Sequence, residues 1–324
     1  ETPLNTVYLE GANLLGTNNK VASLFKDKGV RMLKWNNADA MTIKKAQELM
    51  PERKSNLPIL RFSGGSYCGT WIDYSDDNGI ELLTRYLKQY TDIGIQGGML
   101  DFAELVVKGA ISPSTGLDGT RLHNFYTYGY AKGYYEAYNT LTNGDGFCYI
   151  RGASAGTQRW AALWAGDQYS TFAQLKMQLS AGLSAASCGF SIWGTDLAGL
   201  DGTPSDELYC RALMMAAFSP IMRTGGNISK LPTDYGTSVQ NTYKKTYWLR
   251  ENMLNKLYSA AIESHTSGLP MMQAMAIAFP ENSELAAIED QYLFCDDFLV
   301  NPVLEEGATS RDVSLPSGMW YDLW

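Results

Sequence analysis

The chain is 324 residues long, 45% apolar, 19% charged and 12% aromatic, which suits one α/β barrel with insertions and excludes a disordered chain. A net charge of −8 without a Lys/Arg cluster argues against nucleic acid as a partner. Cysteines at 68, 148, 188, 210 and 295 form no CxxC pair, two histidines leave little for a metal centre or a Ser-His-Asp triad, and no apolar run reaches the ~18 residues of a membrane span, so no metal, cofactor or span is expected.

In chain order, Thr6-Val-Tyr-Leu-Glu10 reads as a strand, and Asn19 to Lys28 as a helix stopped by Gly29. Val30-Arg-Met-Leu-Lys-Trp35 is the next strand, and the helix from Thr42 to Met50 ends at Pro51. Gly79 to Thr91 is a strong helix with Ile80, Leu82, Leu83, Tyr86 and Leu87 on or near one face. Gly97-Gly-Met-Leu-Asp101 is a strand running into a loop, and a long helix spans Asn124 to Leu141. Phe147-Cys-Tyr-Ile-Arg151, Gly189-Phe-Ser-Ile-Trp193, Ser219-Pro-Ile-Met-Arg223 and Leu269-Pro-Met-Met-Gln273 continue the strand series. The alternation predicts an α/β fold, a parallel TIM (β/α)8 barrel over residues 1–285. Pro58-Ile-Leu-Arg-Phe62 is either a barrel strand or part of a loop or hairpin inserted at about 52–78. The Gly-rich run Ser63-Gly-Gly-Ser-Tyr-Cys-Gly69 supports the insertion, which would leave the barrel one strand short. Gln291-Tyr-Leu-Phe, Phe298-Leu-Val-Asn-Pro-Val303 and the tail to Trp324 predict the start of a C-terminal β-sandwich over 286–324.

Glu10, Asp101, Arg151, Asp196 and Arg223 each end an apolar run. One such Asp alone is usually a helix cap or a turn residue. Several on successive strands are a different matter, because a barrel carries its active site at the C-terminal ends of its strands. Asp167, in Trp164-Ala-Gly-Asp167-Gln, follows a further short apolar run. Two carboxylates delivered from different strand ends suit glycoside cleavage, in which one attacks or stabilises the sugar carbon and the other protonates the departing oxygen. The 20 Tyr and 8 Trp fit a packed core and, equally, a cleft where flat rings stack on sugar faces.

Arg151-Gly-Ala-Ser-Ala-Gly-Thr-Gln-Arg-Trp160 and the following Ala-Ala-Leu-Trp-Ala-Gly-Asp167-Gln resemble the acid/base segment of glycoside hydrolase family 31. Gly94-Ile-Gln-Gly-Gly-Met-Leu-Asp101-Phe-Ala-Glu104 is similar to the family's nucleophile segment, and Phe190-Ser-Ile-Trp-Gly-Thr-Asp196-Leu-Ala-Gly-Leu200 to its Trp-Gly-x-Asp-Ile-Gly-Gly-Phe segment. Ala217-Phe-Ser-Pro-Ile-Met-Arg223, Gly268-Leu-Pro-Met-Met, Asp290-Gln-Tyr-Leu-Phe, Pro302-Val-Leu-Glu-Glu-Gly-Ala-Thr-Ser310 and Trp320-Tyr-Asp-Leu-Trp324 follow in the same order. The resemblance covers about residues 79–324. It implies a retaining α-glycosidase in which Asp101 is the nucleophile, forming a covalent glycosyl intermediate, and Asp167 the acid/base. Retention implies carboxyl groups roughly 5–5.5 Å apart, and a protonated Asp167 implies apolar surroundings, for which Trp164 and Trp160 are candidates. Arg151 would hold a neighbouring carboxylate or bind a sugar hydroxyl. Glu10, Asp196 and Arg223 would line the −1 subsite, Trp35 and Trp193 would stack on sugar, and Glu104 would support the site without a third catalytic role.

Two departures bear on substrate. Where α-glucosidases of the family usually place a His, two residues after the Arg matched by Arg223, this chain has Gly225; His123 and His265 do not replace it. Glu10 stands where the family commonly has Asp. With the Asp101-Phe-Ala-Glu104 wording, these imply a non-glucose substrate, an α-galactoside or α-N-acetylgalactosaminide, with an α-glucosidase or α-xylosidase as the alternative. An α-glucan lyase and, from another class, a non-catalytic carbohydrate-binding barrel or inactive domain fragment are further readings. The implied partner is an oligosaccharide or glycoconjugate, and flanking β domains would pack on barrel surfaces. Glu1 in place of an initiating Met is read as a processed form or excised region. The compartment stays open, with a secreted or extracytoplasmic one preferred to the cytoplasm, and Asn227-Ile-Ser229 is a glycosylation sequon.

Overall fold

The computed structural model describes residues 6–9, 19–39, 41–225 and 230–324. Glu10 and the Asn227-Ile-Ser229 sequon lie outside the described residues. The chain divides into two compact units, with the boundary between Leu163 and Trp164.

The first unit contains β1 (Thr6–Leu9), α1 (Asn19–Asp27), β2 (Arg31–Asn36), α2 (Ile43–Leu49), β3 (Ile59–Arg61), β4 (Tyr67–Ile72), α3 (Asp77–Thr91), β5 (Ile95–Leu100), α4 (Gly119–Leu141) and β6 (Phe147–Ile150). β1, β2, β5 and β6 pair in that order, all parallel, with Leu9 opposite Lys34, Trp35 opposite Met99 and Leu100 opposite Ile150. A further strand, β7 (Ala162–Trp164), adds Ala162 and Leu163 alongside Tyr149 and Ile150. The alternation did not anticipate β7; the run Ala-Ala-Leu-Trp is too short to carry a period. β3 and β4 pair antiparallel with each other and bridge to Ile111 through Arg61. The 58–62 run is therefore a hairpin strand, and β7 is the parallel strand the alternation had left unaccounted for.

The helices begin where a side chain caps them. Thr42, Asp76 and Asp118 accept from the N–H groups of Lys45, Asn78 and both Thr120 and Arg121, each satisfying a donor that the first turn leaves open. The Asp118 cap explains why α4 starts at Gly119 and not at Asn124. Along α4, Tyr126, Tyr130, Tyr134 and Tyr138 recur every four residues and are buried, so one aromatic stripe faces the sheet and α3.

The second unit contains the end of β7, α5 (Phe172–Ser187), β8 (Trp193–Asp196), α6 (Asp206–Ala217), β9 (Ile221–Arg223), α7 (Thr237–Asn252), α8 (Leu254–Ser267), β10 (Met272–Ala274), α9 (Met275–Ala278), α10 (Ser283–Ala286), β11 (Tyr292–Phe294) and β12 (Phe298–Val300). The Ala165 N–H donates to Gly194 O, and β8 and β9 run parallel, with Asp196 opposite Arg223. β8 starts later than the sequence suggested, because Gly189 closes the end of α5 with φ 88°. β10, β11 and β12 form an antiparallel sheet. The 269–273 run is thus strand-forming in part but does not continue the parallel series; an apolar run fixes neither partner nor direction. Cys68, Cys148 and Cys295 are buried, Cys210 is half-buried and Cys188 is exposed, and all five are free thiols.

Candidate active site

In the first unit the site is built at the C-terminal ends of β2, β5 and β6. Asp101 follows the last residue of β5 and is 5% exposed. Its Oδ1 accepts the N–H of Phe102 at 2.9 Å and lies 3.0 Å from Arg151 Nη1. Its Oδ2 accepts the indole N–H of Trp35 at 3.1 Å. Phe102 is left-handed at φ 64°, a conformation non-glycine residues hold only under constraint, and this turn aims its N–H back at the Asp101 carboxylate. Arg151, directly after β6, also binds Glu104 through Nε at 2.8 Å, and its guanidinium lies 4.3 Å from the Phe102 ring centroid. The carboxylate thus has two N–H donors and a cation, an arrangement that stabilises the anion and fixes its orientation. Trp35, expected to stack on sugar, has its N–H on Asp101 and its ring edge-on to Phe102. Glu104 is the second carboxylate on Arg151.

In the second unit a parallel set of groups surrounds Asp196 at the end of β8. Asp196 is fully buried; Oδ2 accepts the Trp164 indole N–H at 3.0 Å, and Oδ1 lies 2.5 Å from Arg223 Nη1. The Arg223 guanidinium sits 5.4 Å from the Trp164 ring centroid. Desolvation pushes the Asp196 carboxyl above its ordinary range, and Arg223, the Trp164 hydrogen bond and Lys230 oppose that rise. Lys230 is 4% exposed and donates to Ser170 Oγ at 3.0 Å and to the carbonyls of Ala198 and Gly199, pinning the loop after β8. A Cβ added to Gly225 would lie 3.4 Å from Arg223 Nη2 and 3.6 Å from Asp196 Oδ1, so a side chain at this position would enter the same site.

Three expectations change. Asp167 does not sit in apolar surroundings. It is exposed, because Gly166 at φ 83° turns the chain outward after β7. Trp164 directs its N–H to Asp196, while in the first unit Trp160 packs against Tyr128 and Tyr135. Trp193 is a core residue, 2% exposed, with its ring so close to α5 that a Cβ on Gly182 would fall 1.7 Å from it. Side chains alternate along a strand, so Trp193 and Asp196 point to opposite faces of β8. His123 and His265 lie exposed on α4 and α8. Gln168 is a residue the sequence reading passed over: its carbonyl accepts from the N–H groups of Leu200 and Asp201, and its side chain accepts from Gln178 and Thr195. These bonds anchor the residue next to Asp167. The available signal was a polar amide directly after the candidate acid.

Among the described residues, no group of three His, Cys, Asp or Glu side chains is placed to hold a metal ion, and no helix is long and apolar enough to cross a membrane.

The sequence is 34% identical over 294 residues to an isomaltosyltransferase of Sporosarcina globispora, covering 83% of this chain and 27% of that one. It is 30% identical over 237 residues to an α-xylosidase of Emericella nidulans, covering 72% and 30% respectively. It is also 29% identical over 250 residues to α-glucosidase 2 of Bacillus thermoamyloliquefaciens, covering 72% and 32%. The fold superposes on the cycloalternan-forming enzyme from Listeria monocytogenes with a TM-score of 0.83 at 28% identity, over 93% of this chain and 31% of that one. The chain therefore spans about a third or less of the length of these relatives. Residues 18–260 match the Glycosyl hydrolases family 31 TIM-barrel domain and residues 268–324 the Glycosyl hydrolase family 31 C-terminal domain, so the chain belongs to glycoside hydrolase family 31.

Proposed function

We propose that this chain carries the catalytic site of a retaining α-glycosidase acting on an α-glucoside or α-xyloside. The observation that carries the reading is the setting of Asp101, whose carboxylate is held by Arg151, the Phe102 N–H and the Trp35 N–H. A carboxylate kept anionic and fixed in orientation is suited to attack an anomeric carbon, not to donate a proton. In the proposed sequence, Asp101 displaces the leaving group and forms a glycosyl ester while Asp167 protonates the departing oxygen. Asp167 then takes a proton from water, which attacks the anomeric carbon and releases Asp101. Asp167 is exposed, so the water that attacks in the second step reaches it from solvent.

Asp196 and Arg223 bind hydroxyls of the sugar in this reading, with Trp164 holding Asp196 for the task, and Glu10 is a further hydroxyl-binding residue of the proposal. Arg151 and Trp35 serve the nucleophile. The names of the relatives, α-xylosidase and α-glucosidase, favour these sugars over the α-galactoside or α-N-acetylgalactosaminide that Gly225 and Glu10 suggested. Flanking β domains packing on the barrel remain part of the proposal.

The isomaltosyltransferase relative supports a second reading, in which a sugar hydroxyl replaces water in the second step. A panel of 4-nitrophenyl α-glycosides (gluco, xylo, galacto, N-acetylgalactosamino), run with and without a sugar acceptor, tests both. Turnover of the gluco or xylo member is expected, and a longer oligosaccharide product marks transfer. Turnover of the galacto members alone contradicts the substrate assignment. Glycan binding by calorimetry without any product contradicts the enzymatic reading in favour of a binding barrel.

A further inference from the structure

The contacts on the Asp101 carboxylate hold one side of the residue; its backbone is held from the other. The Asp101 N–H donates to the carbonyl of Asn36 at 2.9 Å. That carbonyl also accepts the phenol of Tyr130 at 3.1 Å, and the same phenol reaches the Asp101 carbonyl at 3.3 Å. One hydroxyl thus spans the backbone at the ends of the paired strands β2 and β5. Tyr130 lies within α4 and is fully buried, its ring T-shaped against Tyr74 at 5.6 Å and Tyr134 at 4.8 Å and stacked on Tyr126 at 6.4 Å. A ring packed on three sides holds its hydroxyl in one place.

The consequence follows from the planarity of the peptide bond. The Asp101 carbonyl and the Phe102 N–H belong to one rigid unit, so fixing the oxygen fixes the direction of the N–H. That N–H is a donor to Asp101 Oδ1. The unit is under tension, because Phe102 is left-handed at φ 64°. Rotation of the 101–102 peptide would relieve Phe102 and would take the N–H off the carboxylate. The Tyr130 hydroxyl opposes that rotation.

We propose that Tyr130 is a positioning residue for the nucleophile: by holding the Asp101 carbonyl it sets the plane of the 101–102 peptide, and with it the orientation of the attacking carboxylate. The inference rests on the assignment of Asp101 made above. It assigns work to a hydroxyl that the strand-end pattern cannot reveal.

Four proteins in one aryl α-glycoside assay test it: the unaltered chain, Asp101→Ala, Tyr130→Phe and Tyr126→Phe. Tyr126 is the control, a neighbouring buried tyrosine on α4 whose hydroxyl has no hydrogen-bond partner among the described residues. Tyr130→Phe is expected to lower kcat by about 10- to 100-fold with KM nearly unchanged, the cost of a misplaced reacting group. It is also expected to move the acid limb of kcat/KM to higher pH, because a carboxylate that loses an N–H donor protonates more readily. Tyr126→Phe should leave both as in the unaltered chain. If Asp101→Ala is inactive while Tyr130→Phe matches Tyr126→Phe in kcat and acid limb, the positioning role is overturned and the nucleophile stands. If the unaltered chain has no turnover, or Asp101→Ala retains it, the nucleophile assignment fails and the inference falls with it.

Discussion

The surroundings of Asp101 and Asp196 use the same three ingredients and arrange them differently. Each carboxylate takes an indole N–H, from Trp35 or Trp164, and an arginine, Arg151 or Arg223, that lies over an aromatic ring. Asp101 adds a backbone N–H from a left-handed residue, and its arginine is shared with Glu104. Asp196 lies deeper, at 0% exposure against 5%, and burial raises its carboxyl despite the arginine. The difference teaches that an arginine beside an aspartate does not by itself make a nucleophile. In the proposed reading, donor count and residual access to solvent separate Asp101, which attacks, from Asp196, which binds.

The largest expected effect separates the two directly. Asp101→Ala should reduce kcat by a factor on the order of 10⁴, as loss of a covalent nucleophile does, and added azide should restore turnover. Asp196→Ala should raise KM and lower kcat without any azide response. Azide rescue of Asp196→Ala would exchange the two roles.

The arginines come next. Removing one partner of a buried ion pair costs roughly 3–5 kcal/mol, because the other charge is left uncompensated. Arg223 and Asp196 side chains are 10% and 0% exposed, against 17% and 7% for Arg151 and Asp101. Arg223→Met should therefore lose more stability in urea unfolding, and Arg151→Met more of kcat. The reverse order in both measurements would show that burial does not distinguish the sites.

Two buried lysines sharpen the same contrast. Lys34, on β2 beside Trp35, donates to the Trp35 carbonyl and to Asn36 Oδ1, and burial lowers its amine to about 8 from 10.5. Between those values the unfolded chain keeps a proton that the folded chain has released, so stability should rise with pH across that window, by up to about 3 kcal/mol relative to Lys34→Met. Burial also lowers the Lys230 amine, but Asp196 and Asp201 oppose it, so the corresponding gain relative to Lys230→Met should be smaller. Equal pH dependence of the two differences would contradict the charge assignment. The smallest effects are those of the indole donors. Trp35→Phe and Trp164→Phe each remove one N–H to a carboxylate, about 1.5–3 kcal/mol for a charged acceptor. The first is expected to act on kcat and the second on stability and KM.

The strand-end polar residues were legible because an Asp or Arg interrupting an apolar run stands out at any such position. Asp101, Arg151, Asp196 and Arg223 were found this way, and the order of segments carried the family. Orientation was not legible. Trp193 and Asp196 share one short strand and face opposite ways, and only the packing of Trp193 on Gly182 reveals which is inward. Trp35 was read as a stacking face and Trp164 as apolar surroundings for Asp167, whereas the edge N–H of each is engaged. Lys34 and Asn36, polar residues inside an apolar strand, gave a visible signal, since such residues need buried partners. Tyr130 gave none, because four tyrosines recur along α4 with the same spacing. The parallel series was overextended at 269–273 and missed 162–164, since short runs encode burial more strongly than partner.

The most direct measurement is intact-mass and peptide mapping after incubation with a fluorinated, slowly released α-glucosyl or α-xylosyl substrate. The account predicts one added sugar per chain, esterified to Asp101 and absent in Asp101→Ala. Continued turnover with no adduct, or an adduct on Asp196, Asp167 or Glu104, would contradict it.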